Sequence, residues 1–129
     1  MFKGLITLLF FCYLWGCSST TNKGTNDGKQ NSISAGELQA ASAKLGSKNL
    51  YTVVQFLRPL FIRPRTRGGE EIFNAPIVYF NGQRWGDVSA LQNLTTADAA
   101  EVNYISPKEA TFRFGSNHAG GAILVRENP

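Results

Sequence analysis

Histidine occurs once in the 129 residues, at His118, and cysteine twice, at Cys12 and Cys17. Zinc and copper centres need several His, Cys or carboxylate ligands converging on one point, so no metal site is expected. A Ser-His-Asp arrangement would have to use His118, and no G-x-S-x-G turn is there to present its serine. The carboxylates Glu70, Glu71, Asp98 and Glu101 read as surface charge. No catalytic constellation and no cofactor is therefore expected. Long apolar runs are also missing: Gly4–Trp15 falls short of the roughly 20 residues that span a bilayer. The formal net charge of +4 is too mild to argue for nucleic acid.

What is present begins at the N-terminus. Lys3 followed by the apolar stretch Gly4–Trp15 has the form of a secretory signal. It runs into Leu14-Trp15-Gly16-Cys17, which resembles a bacterial lipobox: an aliphatic residue at −3, a small one at −1, then the cysteine that is acylated. Trp15 at −2 departs from the usual small or aliphatic choice. Cleavage would remove Cys12 and leave Cys17 lipidated, so no internal disulfide could form and the fold must hold by its core. Ser18 and Ser19 lack the aspartate that retains many lipoproteins at the inner membrane, which implies the outer membrane of a Gram-negative cell. Several acyl chains hold such an anchor stably, at about 0.8 kcal/mol per buried methylene. The stretch to Ser32 is Ser-, Thr-, Asn-, Gly- and Lys-rich and reads as a tether. The chain thus divides into a signal at 1–16, the lipidated cysteine with its tether at 17–32, and a folded domain at 33–129.

Within that domain, Ser34-Ala35-Gly36-Glu37 is a capping box opening a helix to about Lys44, with Leu38, Ala41 and Leu45 on its buried side and Gly46 as C-cap. Asn49 caps a second helix whose Leu50, Val53, Val54 and Leu57 form an apolar stripe, ended by Pro59. Arg58, Arg63, Arg65 and Arg67 follow around Leu60-Phe61-Ile62. They read either as an anion contact or as a solvated loop, and the loop lacks the aromatic interleaving that stacks bases. Ile77–Phe80 is a strand, Asn81-Gly82 a hairpin turn, and Gln83–Trp85 the partner strand. Asp87 or Ser89 caps a short helical piece carrying Val88, Leu91 and Leu94.

The strongest unit is Glu101–Val125. Glu101–Ile105 is a half-buried strand. Ser106, Pro107 and Glu109 start a helix with Pro107, Ala110, Thr111 and Phe114 on one face, and Gly115 is expected as a left-handed C-cap. Ala122–Val125 is a strand buried on both faces. If the two strands run parallel, the connection should be a right-handed crossover. Gly115–Gly121 could present backbone N–H groups to an anion, and His118 is its polar residue.

Ile77-Val78-Tyr79-Phe80-Asn81-Gly82, Val102–Ile105, Glu109–Gly115 and Gly120–Val125 together resemble the plug domain of TonB-dependent outer-membrane receptors, here as a small lipoprotein standing alone. Asn81 replaces the commoner Asp of that family, and Asn103 stands where Glu is usual. No segment resembles the energy-coupling box, and the chain has no room for a transmembrane barrel. The resemblance implies a plug-like fold without transport by this chain alone. The fold class expected is α+β, a small mixed sheet with short helices on one face. The function expected is a non-enzymatic outer-membrane lipoprotein that docks a partner such as a receptor barrel, or alternatively binds an anionic small molecule. The residues expected to serve are Arg58, Arg63, Arg65, Arg67, Asn81, Gly82, Gly115, His118, Gly120 and Gly121, with Cys17 as the lipidation site.

Overall fold

The hairpin of Asn81-Gly82 shows how local chemistry sets the sheet. Both residues take positive φ, 50° and 80°, the geometry of the tight turn that matches strand twist. The turn joins β2 (Ile77–Phe80) to β3 (Gln83–Gly86) in antiparallel pairing. A computed structural model describes residues 30–64 and 75–129. The signal, Cys17, most of the tether, Arg65, Arg67, Glu70 and Glu71 lie outside the described residues.

Ser34 opens α1 (Ala35–Leu45) with a complete capping box, and Gly46 closes it in left-handed geometry. Asn49 accepts from the Thr52 N–H and opens α2 (Leu50–Leu57), which stops before Pro59. A 3₁₀ turn, Pro59–Phe61, follows. Asp87 caps a second 3₁₀ segment, Val88–Asn93. β4 (Ala99–Ile105) leads through Ser106 into α3 (Pro107–Phe114) and then β5 (Ala122–Glu127).

These elements form a small α+β fold around a mixed five-stranded sheet of order β1-β4-β5-β2-β3, where β1 is Ser32–Ser34. Ser32, expected at the end of the tether, therefore belongs to the sheet, paired with Asn103. β4 and β5 pair antiparallel, so the crossover rule for parallel strands does not apply to them. The parallel neighbours are β2 and β5, with Ile77 opposite Ala122 and Phe80 opposite Val125.

Alternation along the strands makes two cores. Ile33, Val78, Val102, Ile123 and Val125 pack under α1, α2 and the 3₁₀ segments with Leu38, Leu50, Val53 and Leu91. Ile77, Tyr79, Ile105 and Ala122 face the other way, against Ala110 and the half-buried Phe114 of α3. Helices thus cover both faces: the expectation of one face holds for α1 and α2, while α3 takes the opposite one. Each fully buried aliphatic side chain contributes about 1.5–3 kcal/mol.

Three local expectations are corrected. Leu45 is 37% exposed because α1 ends there. Thr111 is exposed, since Ala110 and Phe114 fill the contact with the sheet. Gly115 ends α3 at φ 99° and ψ −177°, still a glycine region but not left-handed helical.

Two carboxylates hold turns. Asp98 accepts from the Thr95 hydroxyl at 2.7 Å and the Thr95 N–H at 2.9 Å. These bonds, the hydroxyl first, hold its pKa below the ordinary 3.8. Asp87 is lowered in the same direction, chiefly by the Ser89 side chain. A lowered carboxyl favours folding above the unfolded value and loses that contribution as pH falls through the folded one. Asp98→Ala should therefore lower the thermal midpoint at pH 7, and the gap to the parent chain should close toward pH 3. Scanning calorimetry at the two pH values measures it, and a constant gap would show that the carboxylate charge contributes nothing.

Candidate interaction surfaces

In the Gly115–Gly121 turn, His118, Gly120 and Gly121 are buried while Gly115, Ser116, Asn117 and Ala119 are exposed. His118 is only 4% exposed. Its Nδ1 lies 2.9 Å from the Gly115 carbonyl oxygen, which can only accept, so Nδ1 carries the proton. In the neutral ring Nε2 then accepts from the Tyr79 hydroxyl at 2.8 Å. Tyr79 in turn stacks on Phe114, ring centroids 4.1 Å apart. Part of the turn's backbone is engaged as well. The Gly121 N–H donates to the His118 carbonyl at 2.9 Å, and the Gly115 N–H donates to that of Thr111 at 2.9 Å. The Gly120 carbonyl accepts from the Tyr104 hydroxyl at 3.1 Å. The N–H donors of Gly115 and Gly121 are thus used within the fold, and His118 is a buried internal staple. Nothing in Gly-Ser-Asn-His-Ala-Gly-Gly signals this, because the partner is Tyr79, far away in the chain.

Asn81 is likewise spent within the fold. Its Nδ2 donates to Glu127 at 2.7 Å and its Oδ1 accepts from the Glu127 N–H at 2.8 Å, which clasps the hairpin to the end of β5. Gly82 remains exposed at the turn tip.

The arginines do not gather into one described site. Arg58 sits 3.7 Å from Glu37 and also donates to the Leu57 carbonyl at 3.0 Å. Arg63 is exposed and borders a cavity of about 450 Å³ with Tyr51, Gln55, Ile62, Val88 and Gln92. A second cleft, of about 300 Å³, is lined by Gln30, Asn31, Leu57, Arg58, Leu60, Phe61 and Tyr104. Phe61, part of the apolar insert of the arginine loop, is buried and stacks on Tyr104 at 5.2 Å.

Sequence reasoning passed over the features that are most exposed. Trp85, 48% exposed, stands on β3, the last strand of the sheet, and leans on Phe80 at 5.4 Å. Phe112 on α3 is 90% exposed and Leu60 is 68% exposed. A signal existed for Phe112, which falls outside the apolar helical face containing Ala110 and Phe114. Among the described residues, no three His, Cys, Asp or Glu side chains are placed to share a metal ion, and no helix is long and apolar enough to cross a membrane. No family model, no curated protein and no solved structure matches the chain.

Proposed function

We propose that the chain is a lipid-anchored envelope protein, held at the outer membrane through Cys17, whose plug-like domain docks a partner protein without catalysing a reaction. The observation that carries this reading is the open edge at β3. Among the described residues, Gln83, Arg84 and Gly86 pair with β2 and with no other strand, and Trp85, the extra residue at the register shift, stands half-exposed beside them. A partner strand added there would gain main-chain hydrogen bonds, with Trp85 as an apolar contact. The edge is short, carries Arg84, and is itself irregular, with Trp85 the extra residue opposite Val78 and Tyr79. Short, charged, irregular edges resist indiscriminate pairing, so a fitting partner must match them. The resemblance to receptor plugs makes an outer-membrane barrel protein the favoured partner class. The alternative of an anionic ligand has less support at His118 and Asn81, whose polar side-chain atoms bond within the fold.

Photo-crosslinking in cells tests the reading. A crosslinking amino acid at Gln83 or Arg84 of the full chain should give one adduct of discrete mass. The same probe at Ala97, an exposed turn position, should give none, and Cys17→Ser should abolish the adduct. Equal patterns at positions 84 and 97 would sink the edge as the docking site.

A further inference from the structure

Charge is divided unevenly along the described chain. Between Ala35 and Pro64 four cations, Lys44, Lys48, Arg58 and Arg63, meet one carboxylate, Glu37. From Ala75 onward five carboxylates meet four cations. The cationic stretch also carries exposed apolar surface, with Leu60 the most exposed and Phe56 about half so. Lys44 Nζ lies 5.6 Å from the centroid of the Phe56 ring, so charge and apolar surface are adjacent. The cleft walled by Leu57 and Leu60 is walled also by Gln30 and Asn31, the first described residues. The chain therefore enters the fold at this corner. Cys17 precedes Gln30 by thirteen residues, a reach of at most about 45 Å even when fully extended.

We infer that this corner, with Phe56 and Leu60 as apolar contacts and Lys44 and Arg63 as the cationic rim, is a membrane-facing surface for anionic phospholipid headgroups. The apolar side chains enter the headgroup boundary while the cations remain with the phosphates. Arg58 is set aside because Glu37 already pairs with it. The geometry leaves the partner edge free. Asn31 directly precedes β1, and β1 and β3 are the opposite edges of the sheet. One end then rests on lipid while the other is presented away from it. This rests on the reading of Cys17 as the acylated anchor, and the test separates the two.

The experiment uses the full chain, purified from membranes and mixed with vesicles of phosphatidylglycerol or of phosphatidylcholine. The mass of the Cys17-bearing peptide decides acylation by itself. In the acylated protein, an environment-sensitive fluorescent amino acid replacing Leu60 should shift to the blue and be quenched by brominated lipid in phosphatidylglycerol vesicles. The same probe at Ala97 should do neither. If Cys17 proves unmodified, co-sedimentation replaces insertion. Lys44→Glu with Arg63→Glu should then lower partitioning to phosphatidylglycerol vesicles by about twenty-fold or more, and Leu60→Ser by several-fold. An unmodified Cys17 with this charge-dependent binding would overturn the anchor and keep the surface. Identical emission at positions 60 and 97, or partitioning unmoved by these substitutions, would overturn the surface.

Discussion

Gly121→Ala is expected to destabilise the domain more than any other glycine substitution among those compared below, by about 3–5 kcal/mol. Two effects coincide there. Gly121 has φ +87°, where an L side chain is strained, and a Cβ would lie 2.6 Å from both the Ile105 carbonyl oxygen and the Tyr104 hydroxyl. The carbonyl belongs to the end of β4 and cannot swing aside, because Ile105 is paired with Ala122 in the sheet. The Tyr104 ring is held between Phe61 and its bond to Gly120. For a domain of this size each kcal/mol moves the thermal midpoint by roughly 4–8 °C, so a fall of about 15–30 °C is expected. Two control glycines separate the causes. Gly82 has φ +80° with open space around it, so Gly82→Ala should cost only the backbone strain, about 1–2 kcal/mol. Gly36 has neither constraint and lies in α1, so Gly36→Ala should be neutral or slightly stabilising. Thermal melts of the three variants would show the order Gly121, Gly82, Gly36. Equal losses at Gly121 and Gly82 would mean that the close approach to Tyr104 and Ile105 is unimportant.

The second large effect is expected at the buried staple. His118→Phe keeps a ring beside Tyr79 and Phe114 but leaves the Tyr79 hydroxyl without its acceptor and the Gly115 carbonyl without its donor. An unsatisfied buried polar group costs about 1–3 kcal/mol, so a loss of roughly 2–4 kcal/mol is expected. Tyr79→Phe should cost less, near 1–2 kcal/mol, because the imidazole then loses one partner and keeps the other. The double variant should be more stable than the sum of the two by about 1 kcal/mol, because the second substitution removes the group the first had orphaned. Urea unfolding of all four chains gives this cycle directly. Simple additivity would mean that the 2.8 Å contact between Tyr79 and His118 contributes nothing.

Much of the fold was legible in the sequence, for a local reason. The capping box at Ser34, the Ser106 and Asn49 caps, the Pro59 stop and the Asn81-Gly82 turn each act within four or five residues, and each is found where the residues place it. What escaped depends on distant partners. Ser-Ile-Ser is an unremarkable polar stretch until β4 lies beside it. The antiparallel course of β4 and β5 is decided by β2, which takes the parallel place on the other side of β5. The candidate surfaces were the least legible part. His118 and Asn81, residue types suited to binding, spend their polar atoms on bonds within the fold, while Trp85, Phe112 and Leu60, which sequence reasoning assigned to no site, are half-exposed or more.

The strand order has a consequence for how the protein is made. β5, the last strand among the described residues, is the middle of the sheet, with β4 and β1 on one side and β2 and β3 on the other. A chain still emerging from the ribosome can form the β2–β3 hairpin, but it has nothing to join that hairpin to β4. Both cores lack members, since Ala122, Ile123 and Val125 supply one face or the other. The sheet cannot close until synthesis has passed Glu127, and its long-range pairings then form slowly compared with local ones. Helices and the β2–β3 hairpin can form early from local signals, but the two halves of the sheet stay separate until β5 enters between them.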